Sequence, residues 1–242
     1  RLRVRFPLAS AAPDGAKSRN IRIDGRPLGP REGAAGTDPA PARAPNPTTG
    51  ERETMSDRGY LRQPSICGDA IVFVCDDDLW RADVGGGIAR RLTAGLGEPA
   101  TPALSADGKW IAYVGRDEQH PEVFLMPAEG GPARRMTWLG PDVMVRGFTP
   151  DGEILFVTTQ GQPFFRNYRA YTLDPAGGMP RPLGYGQVNH LAFGPGNARL
   201  IGRNTADPAR WKRYRGGTAG HFWIDEHGTG TFRRMTELEG NL

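Results

Sequence analysis
The eight letters GGIARRLT at 86–93 return as GGPARRMT at 130–137, 44 residues further on. A chance echo would stand alone, and this one brings its neighbourhood with it. SADGKWIAYVG at 105–115 is matched at the same offset by TPDGEILFVTT at 149–159. A third copy follows as GPGNARLIGR at 194–203, and a degenerate first one is CGDAIVFVC at 67–75. Between these landmarks lie LWRADVGGG (79–87), VFLMPAEGG (123–131), AYTLDPAGG (170–178) and FWIDEHGTG (222–230). The closing landmark appears as ARRLT, ARRMT, PRPLG and FRRMT, spaced 44, 47 and 52 residues apart. Four such copies confine the chain to a repeat architecture.

Each copy predicts four short strands. In the second, Ala100–Leu104 is strand one and Asp107-Gly108 a tight turn that tolerates positive φ. Lys109–Val114 is strand two, and the 116–121 loop leads to strand three at Glu122–Pro127. Gly130-Gly131 then turns the chain into Arg134–Thr137. Apolar residues alternate with period two and never with 3.6. A four-stranded antiparallel unit of this length predicts a blade of a β-propeller. The fold class is all-β: a partial β-propeller with four four-stranded antiparallel blades of six. The blades are expected at about 60–95, 98–139, 142–184 and 187–236, with a fifth beginning at 237–242. Four blades of six leave an apolar face on the first and on the last. The paired arginines Arg90-Arg91 and Arg134-Arg135 recur with the repeat, which marks them as guards of an outer edge strand rather than a site.

The first 54 residues are different. They are rich in Pro, Gly, Ala and Arg without apolar periodicity, a composition that predicts disorder. The formal charge of +4 resides there, with ten Lys/Arg against six Asp/Glu, whereas 55–242 holds 21 of each sign. The repeats therefore carry no bulk attraction for nucleic acid. With Arg at 28 and Lys at three, the segment is expected to be translated upstream sequence of a GC-rich genome, with Met55 the native start. It has no apolar core of a secretory signal, and no run approaches the roughly 18 apolar residues of a membrane span.

The blade unit resembles the WD40-like blades of TolB-type and peptidase-associated propellers. The longer string from Tyr60 to Gly140, with GQPFFRNYRAYTLD (161–174), ADPARWKRYRGGTAG (206–220) and MTELEGNL (235–242), is similar to the first propeller of the tricorn protease family. That resemblance implies a six-bladed ring ahead of a second propeller and a catalytic region interrupted by a PDZ-like domain. It implies a cytoplasmic homo-oligomeric serine peptidase acting on short peptides, its propellers filtering peptide traffic. The catalytic serine and histidine would lie beyond Leu242, so this chain is expected to be a non-catalytic gating and assembly portion. Its partners would be the rest of its own polypeptide, further copies and peptides, with no nucleic acid and no membrane. The alternative is a TolB-like propeller acting purely as a protein-binding module; a propeller of a prolyl-oligopeptidase-like enzyme is a third.

Chemistry within the chain is sparse. No G-x-S-x-G elbow occurs, and His120, His190, His221 and His227 follow no catalytic spacing. Asp76-Asp77-Asp78 lacks the spaced oxygens of a calcium loop and reads as a solvated hairpin turn. Cys67 and Cys75 bracket one extended strand, too far apart to bridge, which predicts free thiols. No cofactor or metal is expected. The segment singled out is 210–215, where Arg210, Lys212, Arg213 and Arg215 interleave with Trp211 and Tyr214. That mixture suits nucleic acid by stacking and charge, a peptide carboxylate or a neighbouring subunit, or a plain surface loop.

Overall fold
The computed structural model describes residues 3–4, 60–95, 97–205 and 216–236. Four four-stranded antiparallel sheets follow one another along the chain. Sheet one holds β2 (Arg62–Cys67), β3 (Ala70–Cys75), β4 (Asp78–Asp83) and β6 (Arg90–Arg91). Sheet two holds β7 (Ala100–Leu104), β8 (Trp110–Gly115), β9 (Glu122–Pro127) and β10 (Arg134–Arg135). Sheet three holds β11 (Val143–Phe148), β12 (Ile154–Thr158), β13 (Arg169–Leu173) and β14 (Arg181–Pro182). Sheet four holds β15 (His190–Phe193), β16 (Arg199–Arg203), β17 (His221–Asp225) and β18 (Arg233–Arg234). Each sheet runs in sequence order from its first strand to its last, the meander of a propeller blade. The described sheets do not close into a ring. Of the N-terminal segment, β1 (Arg3–Val4) pairs antiparallel with β5 (Gly87–Ile88). Met55 and the start of a fifth blade at 237–242 lie outside the described residues.

Period two here does not separate core from solvent; it separates two neighbours. In β8, Ile111 and Tyr113 pack against Val72, Val74 and Leu79 of sheet one. Their neighbours Ala112 and Val114 pack against Val143, Val145, Ile154 and Phe156 of sheet three. The middle strands are therefore buried on both faces, and β8 after Trp110 is buried throughout. Leu155, Val157 and Ala170 continue the stack onto Leu191, Ile201 and Trp223 of sheet four. Burying each such side chain contributes about 1.5–3 kcal/mol, which is why neighbouring blades and not single blades hold the fold.

The two terminal faces differ. On sheet four, Leu200, Phe222 and Ile224 point away from sheet three and stay half-exposed. On sheet one, Ile71, Phe73 and Cys75 are buried in a cluster with Ala82, Ala89 and Trp80, which departs from the expectation of an exposed first face. Cys67, the last residue of β2, pairs with Ala70 at the start of β3, and Cys75 ends β3, so the length of that strand keeps the two thiols free.

The repeated arginines do more than blunt an edge. The first of each pair reaches towards the next blade: Arg90 donates to Glu129 at 3.0 Å, and Arg134 donates to the carbonyls of Pro175 and Ala176. The second turns back to an acid at the head of its own third strand. Arg91 pairs with Asp78, which also accepts the Thr93 hydroxyl at 2.8 Å. Arg135 lies 3.3 Å from Glu122, which accepts Thr137 at 2.6 Å and the N–H groups of Leu139 and Gly140 at 2.9 Å each. The letters RRLT and RRMT thus encode a clasp between the fourth strand and a buried carboxylate. The solvated reading of the Asp76–Asp78 turn fails at Asp78, which is 3% exposed; Asp76 and Asp77 alone form the turn, both with positive φ. At the equivalent register, sheet three has Arg169 opposite no arginine, and sheet four has His221 beneath Arg234.

Candidate functional site
The innermost strand of each blade is a sheet edge with unpaired backbone, and the chain bends it. Register shifts break the ladder between Arg62 and Ser65, between Ala100 and Ala103, and between Val145 and Gly147. At the bends Gln63 has φ 51°, Thr101 φ 46° and Gly147 φ 140°. Pro64 and Pro102 explain two of them, since a proline has no N–H to give the ladder and sits in strands only at edges or bulges. Bulging frees the side chains to tie blade to blade. Gln63 accepts the Thr101 N–H at 2.7 Å, Thr101 accepts the Val145 N–H at 3.2 Å, and Ser65 accepts the Leu104 N–H at 2.9 Å. The dipeptides Gln-Pro and Thr-Pro in strand one were the sequence signal for this device.

A cleft of 420 Å³ runs along these inner strands, lined by Gln63, Thr101, Arg146 and His190 among others. Arg146 is the charged group of this wall. Among the described residues its Nε has no hydrogen-bond partner, and its Nη2 reaches the Met144 sulfur at 3.3 Å. Burial lowers its pKa to about 10, against the opposing pull of Tyr168 and Asp142. His190 is held by Thr205 at 2.7 Å from Nδ1.

A second cavity, of 660 Å³, opens at one end of blades three and four. Its lining includes Asp142, Phe164, Phe165, Arg166, Asn167, Tyr168, Gln187, Asn189 and Asn204. The Tyr168 hydroxyl donates to Asp142, and burial together with that bond pushes its pKa up. Gln187 donates to Asn204 at 2.6 Å. Phe164 and Phe165 are 70% and 76% exposed at the mouth, with the Arg166 guanidinium 5.2 Å over the Phe165 ring. Asn189 is 4% exposed, yet among the described residues its Oδ1 has no partner, and neither has the Oδ1 of Asn167.

Of the residues expected from sequence to make contacts, Arg210, Trp211, Lys212, Arg213, Tyr214 and Arg215 lie outside the described residues. The described residues on either side of them, Asn204 and Gly217, both line the larger cavity. Three of the four histidines have separate partners: His190 meets Thr205, His221 meets Arg234, and the His227 N–H caps Asp225. Among the described residues no group of three His, Cys, Asp or Glu is placed to hold a metal ion. No helix of the described residues is long and apolar enough to cross a membrane. Sequence reasoning missed the aromatic cavity because the strings GQPFFRNY and GQVNH are each unremarkable until two blades are stacked.

Comparison with known proteins agrees with this architecture. The profile of the tricorn protease N-terminal beta propeller domain matches residues 58–242. Tricorn protease homolog 1 of Streptomyces coelicolor is 40% identical over 185 residues, which are 76% of this chain and 17% of that relative. A relative named as a tricorn-like protease N-terminal subunit, from Sulfurisphaera tokodaii, is 31% identical over 69% of this chain and 87% of its own length. Among solved structures, the crystal structure of the tricorn protease superposes with a TM-score of 0.65 at 33% identity, covering 73% of this chain and 18% of that one. TolB from Acinetobacter baumannii shares the fold at a TM-score of 0.56 and 18% identity, over 73% of this chain and 43% of that one. The chain therefore spans under a fifth of the length of the first of these relatives and of the tricorn protease structure.

Proposed function
The chain belongs to the tricorn protease N-terminal propeller family, and from that membership we propose that it is the non-catalytic propeller portion of a tricorn-like serine peptidase. Its work is to gate the access of short peptides and to aid assembly. The observation that carries this reading is the match of all four blades to that family. The inner wall supplies a physical means. Gln63 and Thr101 lock the bulged edges of adjacent blades, so the wall keeps its shape when a peptide slides along it. Arg146 adds a desolvated cation beside that path, and a passing carboxylate gains more from it there than it would in water. The rest of the polypeptide and further copies of it are the partners this role needs, and the cytoplasm is the compartment.

The test is peptide hydrolysis by the complete gene product carrying Arg146→Met. Gating predicts altered turnover of peptides of several residues while a dipeptide reporter is cut at an unchanged rate. Equal rates on both substrates overturn gating. A complete gene product with no peptidase activity that instead captures one protein partner would favour the TolB-like binding module, whose fold this chain shares.

A further inference from the structure
The cavity between blades three and four is built like a binding site, and its Asp142 and Tyr168 lie close enough to act on Arg146 of the inner-strand wall. Its volume of 660 Å³ is in the range of small-ligand sites. Two adjacent phenylalanines stand exposed at its mouth. Scattered apolar side chains on a surface mean little, but a contiguous aromatic pair beside a cavity marks a place where something docks. Deeper in, Asn167 and Asn189 keep a buried amide oxygen each without a donor among the described residues. Leaving a buried acceptor unmet costs about 1–3 kcal/mol, and here two such acceptors belong to one cavity.

The lining also limits the ligand. It is dominated by uncharged amides, Asn167, Gln187, Asn189 and Asn204. Its carboxylate, Asp142, already takes the Tyr168 hydroxyl. Among the described lining residues Arg166 is the one cation, and it lies over Phe165. Side-chain amides match the donors and acceptors of a main chain, and Phe164 with Phe165 matches an apolar side chain. We propose that this cavity binds an extended peptide, with an aromatic or large aliphatic side chain against Phe164 and Phe165 and its main chain along the lining amides of Asn167, Gln187, Asn189 and Asn204. The proposal rests on the peptide-handling role above and adds a docking point outside the inner channel.

The experiment is fluorescence anisotropy of a fluorescein-labelled five-residue peptide, phenylalanine between paired glycines, titrated with the whole chain. Saturable binding is expected, weakened about tenfold when the peptide's phenylalanine becomes alanine, and weakened as much by Phe164→Ala with Phe165→Ala. Both phenylalanines are exposed, so the double variant keeps the parent's melting curve. Asn189→Leu is the second variant: it weakens the labelled peptide and also an all-glycine one, because the bond lost is to the main chain. Absence of saturable binding overturns the site. So does binding that ignores the double phenylalanine variant, or competition by maltotriose and not by unlabelled peptide. None of these outcomes touches the hydrolysis test of gating, which reads turnover and the Arg146 wall.

Discussion

Glu122, at the head of the third strand of blade two, accepts the hydroxyl of Thr137 at 2.6 Å, and the same hydroxyl accepts the N–H of Val123 at 2.9 Å. Asp78 and Thr93 repeat the arrangement in blade one, with Leu79 in the place of Val123. Threonine thus bridges a strand's backbone to its carboxylate, and the arginine two residues earlier supplies the countercharge.

Glu122→Ala removes the acceptor of four groups at a site 1% exposed and leaves Arg135 with Glu118 as its counter-ion. The expected loss is about 3–5 kcal/mol, the cost of breaking a buried ion pair on one side. Thr137→Val keeps the shape and loses about 1–3 kcal/mol. Arg90→Ala, at a side chain 56% exposed facing a Glu129 that is 72% exposed, stays within about 1 kcal/mol of the parent. Urea midpoints of the three variants check the order.

Blade four lacks the acid, and His221 sits where Asp78 and Glu122 do. Burial lowers its pKa first, and the Arg234 guanidinium at 3.0 Å lowers it further. The neutral ring is therefore the one the fold favours. Stability from this group is present above its ordinary value of 6.5 and is lost as pH falls through the lower folded value, because the unfolded chain takes up the proton first. Protection factors of the β17 and β18 amides, which discount the base-catalysed intrinsic rate, should fall between about pH 7.5 and pH 5.5. His221→Asp should abolish that change and slow exchange at both pH values. Unchanged acid sensitivity in the variant would assign the effect to another group.

Thr101 is a β-branched residue at φ 46°, a conformation such residues avoid, and it persists because its hydroxyl serves Val145 and its N–H serves Gln63. Thr101→Val keeps the strain and loses the acceptor for the N–H of Val145, a residue 3% exposed. A loss of about 1–3 kcal/mol follows, read as a lowered melting midpoint.

Gly228 and Gly152 both have positive φ, at 67° and 85°. Alanine at 152 meets nothing within 4 Å, so it costs the left-handed penalty of about 1–2 kcal/mol. Alanine at 228 would also place its Cβ 2.7 Å from the Asn197 carbonyl oxygen. Gly228→Ala is expected to be the more damaging by about 1–3 kcal/mol in parallel denaturation curves.

Strand by strand, much of this fold was legible. Ala100–Leu104 and Glu122–Pro127 are strands with the bounds that alternation and the flanking turns predict, and Gly108, Gly130 and Gly131 take the positive φ their turns demand. The blade-to-blade devices were legible only as letters. RRLT and RRMT were visible as a repeat, but that Arg134 reaches the Pro175 and Ala176 carbonyls depends on two blades stacking. The same holds for Asp78, which looks like one more solvated aspartate until Arg91 and Thr93 fold over it.

What the sequence by itself determined is local and periodic: strand, turn, number of repeats, and the family. Backbone sterics and side-chain alternation act over a few residues, so a one-dimensional reading captures them. Tertiary structure alone decided which face of each strand meets which neighbour and which polar atoms are sealed from water. It decided, too, that Phe164, Phe165, Asn167 and Asn189 share one cavity. Those outcomes arise from contacts between blades, where burial removes water and makes every unpaired donor or acceptor count.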